Sequence, residues 1–155
     1  MDLNWQWFEF DRLTPRRLYG LLRLRQDVFV IEQDCLYPEL DGKDLVCRHL
    51  IAEEGEEIVA TTRLLPPGVS YEQVSLGRVV VHPKFRGTGL GKTLLAKAIG
   101  GAFEYFGPVD IRISAQCYLE KYYRNFGFEI MGASYLEDGI PHFPMLRSKA
   151  LAPPS

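Results

Sequence analysis

Three consecutive valines, Val79-Val80-Val81, lead through Pro83 into the glycine-rich run Arg86-Gly87-Thr88-Gly89-Leu90-Gly91. No other stretch restricts the fold as strongly. The valines suit a strand buried on both faces. After the turn, Leu90, Leu94, Leu95, Ala98, Ile99, Ala102, Phe103 and Phe106 recur at helical spacing. That spacing predicts a helix from about Leu90 to Phe106 with one apolar stripe. Gly100-Gly101 in its middle costs helix propensity and points to close packing there.

A turn between a strand and a helix start is a ready anion site. Free backbone N–H groups and the positive end of the helix dipole both face it. Gly87, Gly89 and Gly91 let the chain curl closely without Cβ clashes. Arg86 adds forked donors, and Lys84 and Lys92 add point charge. The spacing excludes two common phosphate motifs. A P-loop needs a glycine where Arg86 stands, and a dinucleotide fingerprint needs GxGxxG where this chain has GxGxG.

The rest of the 155 residues reads as one domain over 1–150, with 151–155 as a frayed tail. Trp5 to Phe10 predicts a first strand. Thr14 and Pro15 predict an N-cap and first helical position for a helix to about Val30. A long acidic connection, Glu32 to Asp44, follows. Cys47–Ala52, Glu57–Leu65 and Val74–Val81 read as strands, as does Val109–Ile113. Tyr118–Phe126 reads as a short helix, and Phe128–Arg147 as a final pair of strands around Glu137-Asp138-Gly139.

A net charge of -2, with no long run of one sign, removes a bulk electrostatic case for nucleic acid. No apolar run approaches the ~20 residues of a membrane span. Cys35, Cys47 and Cys117 are odd in number and suit neither a disulfide framework nor a metal site. The expectation is a cytoplasmic protein with reduced thiols, without metal, membrane or nucleic-acid partner.

The strand, the Arg-x-x-Gly-x-Gly turn and the helix resemble the coenzyme A site of GCN5-related N-acetyltransferases. Tyr122-Tyr123-Arg124-Asn125-Phe126-Gly127-Phe128 is similar to that family's aromatic-Tyr-x-x-x-Gly-Phe segment. A narrower resemblance, to the ElaA-like subgroup, rests on four stretches. These are Leu24-Arg25 with Val28-Phe29-Val30, Glu32-Gln33 and Cys35; Asp41-Gly42 with Asp44; Gly77-Arg78-Val79; and Asp138-Gly139-Ile140-Pro141-His142. The resemblance implies an α/β (α+β mixed) fold: a twisted mixed sheet flanked by helices on both faces, with two central parallel strands that splay apart. It implies acetyl-CoA as cosubstrate. Val79, Val80 and Val81 would pair with the pantetheine arm, Arg86 to Gly91 with Lys92 would hold the pyrophosphate, and Gln116 would touch the arm. Gln116 stands where the family often has asparagine, and Leu119 where a small alanine is usual.

Acyl transfer to an amine needs a neutral amine, a polarised thioester carbonyl and a proton for the leaving thiolate. The resemblance gives Tyr123 the last role, as general acid. Its phenol is protonated at neutral pH. A backbone N–H near Val80 or Val81 would polarise the carbonyl. The base is open among Glu72, Glu32, His49 and His142, or water. An imidazole suits proton transfer near neutral pH, which makes His142 a candidate, yet a loop-holding histidine fits equally. Arg25, Glu32, Gln33, Tyr37, Asp41 and His142 are the candidate acceptor side. Glu32, Glu39, Asp41 and Asp44 either hold a cationic amine or cap loop backbone. The acceptor would be a small-molecule amine, or the N-terminal or lysine amine of a peptide, and a homodimer is allowed. The rival reading is an acyl-CoA-binding sensor or interaction protein without turnover.

Overall fold

Successive side chains of a strand point to opposite faces, and the N-terminal half of this chain buries both. The computed structural model describes residues 2–154. β1 (Asn4–Glu9), β2 (Arg48–Glu54), β3 (Glu57–Leu65) and β4 (Val74–Val81) pair antiparallel in that order. On one face Phe8, Ile51, Ile58 and Val80 pack with Leu21 and Leu24 of α1 (Pro15–Arg25) and with Val28 beyond it. On the other face Leu50, Ala52, Val59 and Ala60 meet Leu94, Leu95, Ala98 and Ile99 of α2 (Leu90–Phe106). The result is a sheet with helices on both faces.

The predicted start of α1 is present. Thr14 Oγ accepts from Arg17 N–H at 3.2 Å, with Pro15 at the first position. Its end differs from the expectation. From Gln26 to Glu32 the helix widens to a π turn, in which Gln33 N–H reaches Val28 O and Cys35 N–H reaches Val30 O. Such turns rotate the following side chains relative to a regular helix. Here Val28 stays buried while Glu32 and Gln33 face the middle of the molecule. In α2, Gly101 explains the glycine pair: a Cβ there would stand 2.3 Å from the Trp7 ring, whereas Gly100 has open space.

β5 (Ile111–Gln116), β6 (Phe128–Ile130), β7 (Tyr135–Glu137) and β8 (Ile140–Arg147) complete the sheet. The order is β1-β2-β3-β4-β5-β8-β6, with β7 paired to β8. The C-terminal part thus holds three strands where the sequence predicts a pair. The Tyr118–Phe126 helix is shorter than predicted, α3 (Glu120–Arg124) behind a tight turn at Cys117–Leu119.

Among the described residues β4 and β5 form the single parallel pair, and they stay together for two residue pairs only, Val74–Ile111 and Ser75–Arg112. Beyond Ser75 the strands part. β4 also carries a bulge: the ladder to β3 jumps from Arg63–Gly77 to Thr61–Val80, and Arg78 adopts φ +50°. Two residues, Arg78 and Val79, therefore oppose Thr62 alone, which bends the strand.

The expected frayed tail is instead held down. Arg147 donates to Ala152 O at 2.6 Å and to Phe126 O at 2.7 Å, and Leu151 packs over Gly127. Ser155 lies outside the described residues. No described helix is long and apolar enough to cross a membrane.

Candidate active site

The parting of β4 from β5 opens a groove of about 990 Å³, lined along one wall by Gly77 to Val81 and along the other by Ile113, Ser114 and Gln116. In an antiparallel ladder alternate residues turn their N–H and C=O away from the partner strand. His82 N–H donates to Val59 O at 2.8 Å. Val81, one residue earlier, therefore directs its backbone groups into the groove. Arg86 Nε reaching Val81 O at 3.4 Å agrees with that direction. The same alternation turns Val80 toward β3, where its side chain is buried under α1. Val79 and Val81 instead put their side chains against the α2 core.

The glycine turn stands at one end of the groove. Gly87 and Gly89 take φ +78° and +86°, values only glycine adopts without strain. Gly91 has ordinary helical geometry, and its carbonyl accepts from Tyr122 Oη at 2.6 Å. That bond ties α3 to the start of α2. Thr88 turns its hydroxyl back to Phe85 O at 2.6 Å. Leu90 contributes backbone alone, since its side chain is 4% exposed in the core. Lys92 is exposed beside the turn and outside the groove lining. His82 buttresses the turn, its Nδ1 accepting from Lys84 N–H at 3.1 Å.

Arg86 lines the groove, already gripped by Glu32 through two bonds of 2.5 and 2.8 Å. This fork holds the Glu32 carboxyl below its usual range. Glu32, expected on the acceptor side, thus sits against the arginine of the glycine turn. Gln33 and Gln116 meet across the groove at 3.4 Å.

Tyr123 is 7% exposed, packs edge-on against Tyr122 and Phe128, and lines the groove. Burial pushes its phenol pKa up, so the proton stays on at neutral pH. Its hydroxyl has no hydrogen-bond partner among the described residues. Tyr122 is likewise pushed up by burial, to about 12, and is committed to Gly91.

The acceptor candidates divide. Arg25 is 1% exposed and does not line the groove. It donates to Asp44 at 2.7 and 3.2 Å and to Glu39 at 2.7 Å. Direct acceptor contact by Arg25 is thereby excluded. Arg63 forks onto Asp41 at 2.9 and 2.6 Å and reaches Asp44 at 3.0 Å, and Arg78 joins Glu39 at 2.8 Å. Burial disfavours ionising Asp41 and Asp44, but the arginines outweigh it and hold both carboxyls below their usual range. Glu39, Asp41 and Asp44 therefore pin the connecting loop to the sheet and the bulge. Tyr37 is half-exposed at the rim, beside Gly139.

Among the base candidates, Glu72 is exposed and His49 is fully buried with Nε2 donating to Asp44 O, and neither lines the groove. His142 does. Its Nδ1 donates to Ile140 O at 2.7 Å, and its Nε2 faces Glu137 Oε2 at 3.5 Å. Cys117 is half-buried and outside the groove lining.

Sequence reading passed over Glu137 and Ser114, which the fold joins to His142. A signal was present. Asp138-Gly139 forms a two-residue hairpin turn with both φ positive. The register Tyr135–His142 and Glu137–Ile140 puts those four residues on one face.

Residues 25–149 match the family described as Acetyltransferase (GNAT) domain. Protein ElaA of Escherichia coli (strain K12) is 37% identical over 147 residues, which cover 94% of this chain and 96% of ElaA. The crystal structure of Escherichia coli ElaA superposes with a TM-score of 0.89 at 36% identity, over 95% of this chain and 100% of that one. An acyl-CoA N-acyltransferase from Pseudomonas aeruginosa superposes with a TM-score of 0.90 at 42% identity, again over 95% and 100%. The matched span of 25–149 contains the splayed strands, the glycine turn and the tyrosine segment. This chain therefore belongs to the GCN5-related N-acetyltransferases, in the ElaA-like subgroup, with acyl transfer as its class of chemistry.

Proposed function

We propose that the chain transfers an acetyl group from acetyl-CoA to a primary amine by direct attack. One observation carries this reading: β4 and β5 part after two residue pairs, and beyond that point Val81 turns its backbone groups away from β3 into the groove between the glycine turn and Tyr123, with Arg86 Nε on its carbonyl. The residues fit the donor. Two left-handed glycines shape a turn with free helix-start N–H groups, and Arg86 stands at its edge. The donor supplies an activated thioester. Gly87 to Gly91, with Arg86 and Lys92, hold its pyrophosphate, and Val79 to Val81 with Gln116 line its arm.

His142 takes the proton of the acceptor ammonium, since Nδ1 is engaged and Nε2 carries the lone pair of the neutral ring. The amine nitrogen then bonds to the thioester carbon. The backbone N–H of Val81, the one of the two candidates that turns away from β3, stabilises the oxyanion. As the C–S bond breaks, Tyr123 protonates the leaving sulfur, and the proton that the nitrogen sheds as the amide forms restores the phenol through solvent. Gln33 and Tyr37 border the acceptor space, with Asp41 shaping it through Arg63. Turnover, rather than mere acyl-CoA sensing, is favoured by a protonated tyrosine lining the groove without a protein partner.

The test is thiol release from acetyl-CoA with a panel of amines, in wild type and Tyr123→Phe. Amine-dependent release that collapses in the variant is expected. Tight coenzyme A binding with no release on any amine would leave the sensor reading standing.

A further inference from the structure

Five carboxylates line the groove, and arginines neutralise three of them. Glu32 is forked by Arg86, Asp41 by Arg63, and Glu39 by Arg25 and Arg78. Glu137 and Asp138 have no basic Lys or Arg partner among the described residues. Nearby cations are turned elsewhere: Lys43 donates to Ser70, and Arg112 lies over the Tyr71 ring.

Glu137 is also oriented. Ser114 Oγ donates to its Oε1 at 3.1 Å, and Tyr135 Oη meets the same Ser114 oxygen. The second oxygen, Oε2, lies on the groove side of a carboxylate that is 44% exposed, and among the described residues the polar atom facing it is His142 Nε2, at 3.5 Å. The His142 side chain is 8% exposed, stacked on Tyr135, with its Nδ1 proton committed to Ile140 O. In the neutral ring two acceptors thus confront each other with no hydrogen between them. Such an arrangement calls for a donor with several protons and a positive charge.

We propose that Glu137 and His142 form the subsite for the acceptor's ammonium group, and that the acceptor is an aliphatic diamine rather than an amine with a carboxylate at its far end. An ammonium donates one N–H to Glu137 Oε2 and another to His142 Nε2. Transfer of the second proton to Nε2 leaves a neutral amine and an imidazolium paired with Glu137. A second ammonium on the same molecule is drawn to Asp138 at the rim, whereas a carboxylate there meets like charge. This deepens the acetyl-transfer reading and rests on it for the fate of the amine.

The experiment follows the His142 ring-nitrogen NMR signal in the full chain during titration with putrescine or γ-aminobutyrate. Putrescine is expected to shift the Nε2 signal, γ-aminobutyrate to bind at least about tenfold more weakly, and Glu137→Gln to weaken putrescine by about tenfold or more, as loss of a charged hydrogen-bond partner requires. An unmoved Nε2 signal, equal binding of the two amines, or wild-type affinity in Glu137→Gln overturns the subsite. Thiol release is scored separately. Putrescine binding at His142 without acetyl-CoA consumption overturns acetyl transfer and leaves the subsite. Turnover that is indifferent to Glu137→Gln overturns the subsite and leaves acetyl transfer.

Discussion

The two ends of the groove are built from different materials. The donor end is backbone: a strand edge released by the splay, two left-handed glycines and the start of α2, with one arginine added. The acceptor end is side chain. Arg25, Arg63 and Arg78 interlock with Glu39, Asp41 and Asp44, from segments 14 to 39 residues apart in each pair, and the β7–β8 hairpin brings in Glu137 and His142. Backbone presents the same groups whatever the sequence, so a donor shared by many relatives can be held this way. Side-chain lattices can be rewritten, so under the proposed reading acceptor preference would reside there. Glu32 links the two ends, reaching from the π turn to Arg86.

The sharpest way to separate the ends is Tyr123→Phe. It removes a proton donor and leaves both ends in place. Turnover should fall by ~10²–10⁴-fold, as loss of a general acid does. Coenzyme A affinity, read by calorimetry, should be unchanged. A parallel loss of affinity would show that the tyrosine holds the donor rather than serving the reaction.

Asp44→Ala attacks the acceptor lattice. It leaves Arg25 and Arg63 buried with a carboxylate missing, which should cost about 3–5 kcal/mol in denaturant unfolding. A loss below about 1 kcal/mol would mean that the lattice is dispensable to the fold. Arg86→Glu attacks the donor end. Loss of charged hydrogen bonds worth ~1.5–3 kcal/mol should weaken coenzyme A by about tenfold to a hundredfold, with little change in stability. Unchanged affinity would remove Arg86 from the pyrophosphate site.

Acid should act on the lattice before the glycine turn. Asp41 and Asp44 are held below their usual range in the folded chain. The unfolded chain therefore binds protons more readily, and their contribution is complete above the unfolded value of about 4. It is lost as pH falls from there through the folded values. Melting temperature should hold from pH 7 to about 5 and fall below about 4. Asp44→Asn should flatten the fall. The smallest effect is expected for Gly89→Ala, where φ +86° charges a Cβ about 1–2 kcal/mol and shifts the turn amides. Coenzyme A should bind more weakly there while the acceptor lattice melts as before.

Legibility in the sequence follows the same division. Local spacing placed β3, β4 and α2 at their observed bounds, because alternation and helical period are properties of neighbouring residues. The glycine turn was legible for that reason, as were the Thr14 cap and the close packing at Gly101. Arg25 was misplaced at the acceptor because a motif shows that an arginine belongs there, not that its guanidinium is spent on Asp44 and Glu39. The same holds for Asp41, and for Glu32, whose partner lies 54 residues away.

The layered α/β architecture came from the resemblance; by itself the sequence determined the strand, the glycine turn and the helix that follows it, and the place of Tyr123 in its motif. These depend on contacts within a few residues. Only the tertiary structure decided where β4 leaves β5, where β4 bulges at Arg78, and which carboxylates remain without arginines. Those outcomes depend on side chains that meet across the groove, and charge pairing between distant segments leaves no periodic trace in the chain. Glu137 stands out only once the arginines have been assigned to Glu32, Glu39 and Asp41.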